Sequence, residues 1–270
     1  MIKQAIIPLA GLGTRLLPLT SVIPKELLPI NGKPGLEYIL DECIKSGITQ
    51  VILIISKKKM SIKKYFYNDN FYKNLIKKKK DKRIIMEYKK IKKYKKIIKF
   101  VYQNSPRGTG DAILKCEKLI KSNFFLMLMP DDLIIKNNCS KSLIFLHNKY
   151  KSSIIASRKV SKDNVSRWGI FDIKKINKNN FMIKDVIEKP PVKSAPSRYA
   201  VIGRYILPKK IFKILKKQKP GKNGEIHITD SIRTLILKKN RFIGHIFSGK
   251  YLDCGSMKGY INSGFEISKL

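Results

Sequence analysis

The chain has 270 residues, 43% of them hydrophobic and 9% aromatic, enough to bury a sizeable core without disulfides or a structural metal. No apolar run approaches the roughly 20 residues of a membrane helix, so a membrane partner is not expected. Lys and Arg total 58 against 19 Asp and Glu, a formal charge of +39; because the lysines are spread along the whole chain, this reads as a compositional bias and no specific nucleic-acid partner is expected.

Cys43, Cys116, Cys139 and Cys254 form no Cys-x-x-Cys pair, and His147, His227 and His245 show no metal-ligand spacing, which argues against a zinc site or a disulfide framework. The opening Met-Ile-Lys-Gln-Ala-Ile-Ile-Pro is too short an apolar stretch for a signal peptide, so a cytoplasmic setting is expected. Ser268-Lys269-Leu270 spells a peroxisomal address, a three-residue match read here as coincidence.

In chain order, Ala5 to Leu9, Val51 to Ile55, Ile97 to Tyr102 and Phe124 to Met129 read as buried strands, rich in β-branched or aromatic residues and bounded by polar or Pro/Gly positions. Between the first two, Leu36, Ile39, Leu40, Cys43 and Ile44 mark one face of a helix that stops at Gly47. The Lys-dense stretch from Lys77 to Lys99 carries Ile84, Ile85, Tyr88 and Ile91 at helical spacing and reads as a solvated amphipathic helix. Strands follow near Ile154 to Ser157, Gly169 to Ile173, Phe181 to Ile187 and Tyr199 to Ile206, and helices resume at about Pro208. Alternating strands and helices predict an α/β fold with a mostly parallel central sheet covered by helices on both faces. Neither an internal repeat nor a flexible linker divides it, so residues 1–270 read as a single catalytic domain, with a first part to about 135 and a second part from about 136. In such a sheet ligands bind beyond the carboxyl ends of strands, at the loops after Leu9, Tyr102 and Met129.

The first of those loops reads Ala10-Gly11-Leu12-Gly13-Thr14-Arg15-Leu16-Leu17-Pro18, followed by Pro24-Lys25-Glu26-Leu27-Leu28-Pro29. Two glycines two apart let backbone N–H groups approach a phosphate, and Arg15 and Lys25 supply positive charge for a polyphosphate. The loop is neither the dinucleotide fingerprint, which wants a third Gly or Ala where Leu16 stands, nor a Walker loop. No Ser-His-Asp or Cys-His arrangement suggests a nucleophilic mechanism.

Gly-x-Gly-Thr-Arg-x-x-Pro followed by Pro-Lys-Glu-x-Leu-Pro resembles the bacterial UTP-glucose-1-phosphate uridylyltransferases of the sugar-nucleotide pyrophosphorylase superfamily. The resemblance recurs in order from about Lys3 to Tyr260, through Gln103, Gly108, Pro130-Asp131-Asp132, Trp168-Gly169, Val186-Ile187-Glu188-Lys189-Pro190, Gly224 to Asp230 and Asp253-Cys254-Gly255. It implies a three-layer, Rossmann-like nucleotidyltransferase fold with a nucleotide-binding first part and a sugar-binding second part. It also implies the formation of UDP-glucose and pyrophosphate from UTP and glucose 1-phosphate with Mg²⁺. The roles it implies are Arg15 and Lys25 as catalytic cations on the triphosphate, and Ala10, Gly11, Gly13, Thr14, Glu26, Gln103 and Gly108 in nucleotide binding. Asp132, Gly169, Glu188 and Lys189 are expected at the sugar phosphate, and Asp131 and Asp253 as metal ligands.

These assignments are chemically coherent. Magnesium takes one or two carboxylates plus substrate phosphates, and Asp131 directly follows an apolar strand. An amide such as Gln103 both donates and accepts, as a uracil edge requires. Glu188 and Lys189 end a strand at the Pro190-Pro191 break, where a carboxylate can hold sugar hydroxyls and an ammonium the phosphate. The chain departs from the family pattern at Ser21, where Lys is usual, and in the polar loop from Asn104 to Gly108. It also stops at Leu270, while many relatives continue into a tail used in subunit contacts; a homo-oligomer, dimer or tetramer, is the expectation. The alternatives are thymidylyl transfer, a different sugar, or an inactive regulatory paralogue.

Overall fold

A computed structural model describes residues 2–221 and 224–270. In chain order the elements are β1 (Gln4–Pro8), the short hairpin β2 (Pro29–Ile30) and β3 (Lys33–Pro34), α1 (Gly35–Lys45), β4 (Gln50–Ile55), α2 (Met60–Tyr67), α3 (Asp69–Lys79), α4 (Lys82–Ile97) and β5 (Ile98–Tyr102). There follow α5 (Thr109–Leu114), β6 (Phe124–Leu128), β7 (Asp132–Ile135), α6 (Cys139–Tyr150), β8 (Ser153–Lys159), β9 (Gly169–Lys175), β10 (Asn180–Glu188) and β11 (Tyr199–Pro208). The last are α7 (Ile211–Leu215), α8 (Ile228–Leu237), β12 (Phe242–Ile246), β13 (Lys250–Asp253) and α9 (Met257–Ser268).

Nine strands form one sheet in the order β5-β4-β1-β6-β11-β8-β12-β10-β9. The pairings make β5, β4, β1 and β6 mutually parallel and β8 parallel to β12; only β10 and β11 run against the rest, so the expected mostly parallel sheet is present. Alternate residues of each strand face opposite sides. Ala5, Ile7 and Leu9 pack with α1, α2, α4 and α6, while Ile6, Ile52 and Met127 pack with α5, α7 and α8, giving three layers.

The eight strands expected from apolar runs are all present to within a few residues, as is the helix ending before Gly47, here α1. The lysine-rich stretch is two helices, not one. Lys80, with φ of 47°, closes α3, and Asp81 restarts the chain by accepting a hydrogen bond from the Arg83 N–H at 2.7 Å at the head of α4. Ile91 and Tyr94 are the buried contacts of α4; most of its lysines are exposed, while Lys90 turns inward to pair with the buried Glu37 of α1 at 2.7 Å and Lys95 pairs with Asp69 of α3.

The short strands β7, β12 and β13 were not expected. β7 and β13 form a separate antiparallel ribbon that sets Asp253 opposite Asp132. Beneath it lies a buried ion pair: Glu42 of α1 takes three hydrogen bonds from Arg204 of β11, at 2.8 to 3.1 Å, and further ones from the backbone and hydroxyl of Ser140 at the head of α6. Arg204 is fully buried, and it also donates to the carbonyls of Met129 and Gly203. Two charges removed from water in this way are held only because every partner is in place. The ion pair thereby ties the end of β6 to α1, α6 and β11.

Candidate active site

A cavity of roughly 360 Å³ opens at the carboxyl ends of β1, β5 and β6. The loops expected to carry the chemistry meet there: its lining includes Ala10, Gly11, Gly13, Thr14, Lys25, Glu26, Gln103 and Gly108, joined by Pro130 and Glu225. Gly13 sits at φ 74°, and Thr20 Oγ1 donates to its carbonyl at 2.8 Å, which folds the loop after β1 into consecutive single turns. Gly108 has φ of 94°, and a Cβ there would lie 2.6 Å from the carbonyl oxygen of Ile226. Only glycine satisfies both demands. Gly110 donates to that same carbonyl and Ile226 donates back to Arg107, so the segment after Gly224 is clamped on the loop and Glu225 is delivered to the cavity wall.

Two polar side chains of the wall are themselves held. Glu26, 3% exposed, accepts from Lys59 Nζ through both carboxylate oxygens, at 2.9 and 2.8 Å, and the same ammonium donates to the Leu9 carbonyl at 2.7 Å. Burial pushes the Lys59 ammonium below its ordinary value against the pull of Glu26. Gln103, 4% exposed, donates through Nε2 to Asp111 Oδ2 at 2.7 Å and to the Gly108 carbonyl at 3.3 Å.

Beside the cavity the turn between β6 and β7 presents Asp131. Its backbone carbonyl accepts from the Cys254 N–H at 2.8 Å, which draws the end of β13 alongside. A point where Gly255 would carry a Cβ lies 2.9 Å from Asp131 Oδ2, 3.1 Å from Asp253 Oδ1 and 2.7 Å from Arg15 Nη2. Two carboxylates and a guanidinium therefore converge on a cradle that a side chain at Gly255 would fill. Lys25 Nζ bonds to Asp131 Oδ2 at 2.8 Å, Arg15 stands 3.6 Å from the same oxygen, and Arg167 reaches Asp253 Oδ2 at 3.4 Å. Burial would raise the Asp131 carboxyl, but the charge and hydrogen bond of Lys25, with Arg15 behind it, hold it below the usual carboxylate range. Lys25 is held above its ordinary value despite burial by Asp131 and Glu26.

The next carboxylate is differently engaged. Asp132 accepts from the Gly203 N–H at 2.8 Å and from the Tyr251 hydroxyl at 2.5 Å, and burial plus the neighbouring Asp131 charge push it up to about 6. One oxygen thus ties the ribbon to β11 and the other ties its two strands to each other.

The third group of expected residues stands apart. Gly169 and Glu188 face each other across β9 and β10, and a Cβ on Gly169 would meet Glu188 Oε2 at 3.2 Å and Thr229 Cγ2 at 3.6 Å. Lys189, at φ 46° and 60% exposed along its side chain, lies 4.0 Å from Glu188. Among the described residues neither Glu188 nor Lys189 bonds to the cradle. The connection runs through Arg167, which touches Asp253, and Trp168, which packs edge-on against Tyr251 at 5.7 Å between ring centres. Lys59, Arg167 and Arg204 were missed in the sequence reading. The place just after an apolar strand's carboxyl end marks Lys57 to Lys59 together without singling out Lys59, and Arg167 has only its position before Trp168.

A three-layer sheet with a glycine-lined cavity, paired cations and two convergent carboxylates describes a nucleotidyltransferase. Residues 4–269 match the family described as nucleotidyl transferase. The UTP–glucose-1-phosphate uridylyltransferase of Bacillus subtilis is 35% identical over 271 residues, covering 99% of this chain and 91% of that protein. A crystal structure of apo UDP-glucose pyrophosphorylase superposes with a TM-score of 0.90 at 38% identity, covering 100% of this chain and 99% of that one. The UTP-bound enzyme of the same kind from Acinetobacter baumannii gives 0.87 at 31% identity, covering 99% and 93%. The chain belongs to the nucleotidyl transferase family. Among its described residues no helix is long and apolar enough to cross a membrane.

Proposed function

We propose that the chain is a UTP-glucose-1-phosphate uridylyltransferase. An oxygen of glucose 1-phosphate attacks the α-phosphorus of UTP in line as the bond from that phosphorus to the oxygen bridging to the β-phosphate breaks, so UDP-glucose forms and pyrophosphate leaves. The attacking phosphate is already ionised, so no general base is required and catalysis consists of positioning and charge neutralisation. The observation that carries the reading is the adjacency of the glycine-lined cavity to the cradle of Asp131, Asp253, Lys25 and Arg15, in a chain whose relatives bear this name.

Backbone groups of Ala10, Gly11, Gly13 and Thr14 take the triphosphate and nucleoside, Glu26, Gln103 and Gly108 frame the base, and Lys25 and Arg15 neutralise the phosphates. Gly169, Glu188 and Lys189 take the sugar phosphate, and Asp132 supports that side. The cradle suits Mg²⁺ because it offers hard oxygen donors from Asp131 and Asp253 beside the cavity, and Mg²⁺ commonly takes one or two carboxylates together with substrate phosphates. Asp131 and Asp253 would hold Mg²⁺, which when bound would supply charge neutralisation and orient the triphosphate. The four cysteines, all free and buried, suit a cytoplasmic setting, and exposed Ile261 and Phe265 on α9 offer an apolar face for self-association, which light scattering measures.

The direct test is pyrophosphate release by the purified protein from each nucleoside triphosphate with glucose 1-phosphate, with and without Mg²⁺. Release with UTP, glucose 1-phosphate and Mg²⁺ together is expected. Release with dTTP or another sugar phosphate in preference would move the assignment to that substrate, and UTP binding without release would indicate a regulatory protein.

A further inference from the structure

A buried acidic residue beside the cavity takes no part in the cradle. Asp111 lies in the first turn of α5 and is 4% exposed. One of its oxygens is shared by Arg107 at 3.2 Å and Lys115 at 3.6 Å, and the other accepts from Gln103 Nε2 at 2.7 Å. A carboxylate only accepts, and so does the Gly108 carbonyl 3.3 Å from the same nitrogen. The amide of Gln103 can therefore sit only one way round: its NH₂ group points at Asp111 and Gly108 and both of its hydrogens are used, so Gln103 offers the base an acceptor alone and not the donor and acceptor expected from the sequence. Its carbonyl oxygen has no hydrogen-bond partner among the described residues and is not sealed from solvent, and Gln103 lines the cavity.

We propose that Asp111 is a specificity-positioning residue that locks the Gln103 amide so that only an acceptor faces the base. This rests on the nucleotidyl-transfer reading and deepens it. Uracil presents an N3–H donor, whereas cytosine presents an unprotonated N3 acceptor at the same place. A locked acceptor satisfies the first and opposes the second. An unlocked amide could turn its NH₂ group to cytosine, and the discrimination would be lost. Arg107 and Lys115 fix Asp111 in turn, so the lock is anchored at the head of α5 and reaches the cavity through a single side chain.

The test compares kcat/KM for UTP and CTP in the wild-type enzyme, in Asp111→Leu and in Asp111→Asn, with Kd for both nucleotides measured by calorimetry. Asp111→Leu is expected to lower the UTP-to-CTP ratio by about tenfold or more, chiefly through KM. Asp111→Asn, whose side-chain oxygen can still accept from Gln103, is expected to keep most of the ratio. In a Gln103→Ala background Asp111→Leu should change the ratio no further, which tests the same coupling if the single variant folds poorly. Equal losses for UTP and CTP in Asp111→Leu, or an effect of Asp111→Leu on the ratio that persists without Gln103, would overturn the proposal. Absence of UTP-dependent turnover in the wild-type enzyme would overturn the functional reading instead; the Kd ratio then decides the role of Asp111, and a wild-type protein binding UTP and CTP equally would overturn that too.

Discussion

The cavity beside the glycine turn and the carboxylate cradle share Lys25 as a wall, yet they are built from opposite materials. The cavity is mostly backbone and small side chains; its one buried acid, Glu26, has its charge matched by Lys59 before any ligand arrives, and its amide, Gln103, is already turned and held. The cradle is mostly charge: Asp131 and Asp253 answered by Lys25, Arg15 and Arg167, with Arg15 and Arg167 more than half exposed. A recognition surface gains from groups whose partners are fixed, because a ligand then finds donors and acceptors in one arrangement. A surface that must neutralise charge developing in a transition state gains from groups whose partners can be exchanged for phosphates and a cation. The two regions should therefore fail differently when cut.

The largest effect is expected in the cradle. Asp131→Ala or Asp253→Ala removes one of the two carboxylates that converge on the cradle and should lower kcat by about a hundredfold or more; the urea midpoint should move little for Asp253→Ala, whereas Asp131→Ala also strips the buried Lys25 ammonium of its partner and should lower it. Rapid-quench assays at saturating UTP and Mg²⁺, beside unfolding curves, separate the two. Wild-type turnover in either variant would break the comparison, because the cradle would then carry no chemistry.

How much of this could be read beforehand follows from what each part is made of. The parallel half of the sheet was legible because buried strands are continuous apolar runs, as in Val51 to Ile55 and Phe124 to Leu128, and the glycine turn because its residues are contiguous. The cradle was legible only as separate fragments. Asp131 and Asp253 are brought together by β7 and β13, four residues each, and so short a pairing across more than a hundred residues leaves no periodic trace. Lys59 was hidden for another reason: it ends a run with Lys57 and Lys58, and nothing local says that this lysine alone of the three is buried. Arg204 lies inside an apolar strand, and its partner Glu42 is 162 residues away.

Lys59 gives the second way to sharpen the comparison, now on the cavity side. Lys59→Met leaves the Glu26 carboxylate buried with no cation, and removing one partner of a buried pair costs about 3–5 kcal/mol. The expected result is a clearly lowered urea midpoint together with a raised KM for UTP, since Glu26 and the Leu9 carbonyl lose the same ammonium. Adding Glu26→Gln to Lys59→Met should recover part of the stability, because the stranded charge is gone. If the single variant were as stable as wild type, the cavity's fixed partners would be ornamental.

Lys189 marks the smallest effect and the point where the contrast between fixed and free partners is tested outside both regions. Its ammonium lies 4.0 Å from Glu188 and its side chain is 60% exposed, so the pair adds little to folding. Its backbone is more committed: Lys189 donates its N–H to the Trp168 carbonyl at 3.0 Å and adopts φ of 46° just before Pro190, which ends β10 abruptly and throws the side chain outward. A charge held in this way is available to a phosphate but is not required by the fold. Lys189→Ala should leave the unfolding free energy within about 0.5 kcal/mol of wild type. It should raise KM for glucose 1-phosphate by about ten- to a hundredfold, the worth of one charge-assisted hydrogen bond, with KM for UTP and kcat nearly unchanged. Initial-rate measurements varying each substrate in turn decide it. An equal rise in both KM values would mean that Lys189 shapes the whole cleft through its backbone, and an unchanged KM for the sugar phosphate would leave it a surface lysine among many.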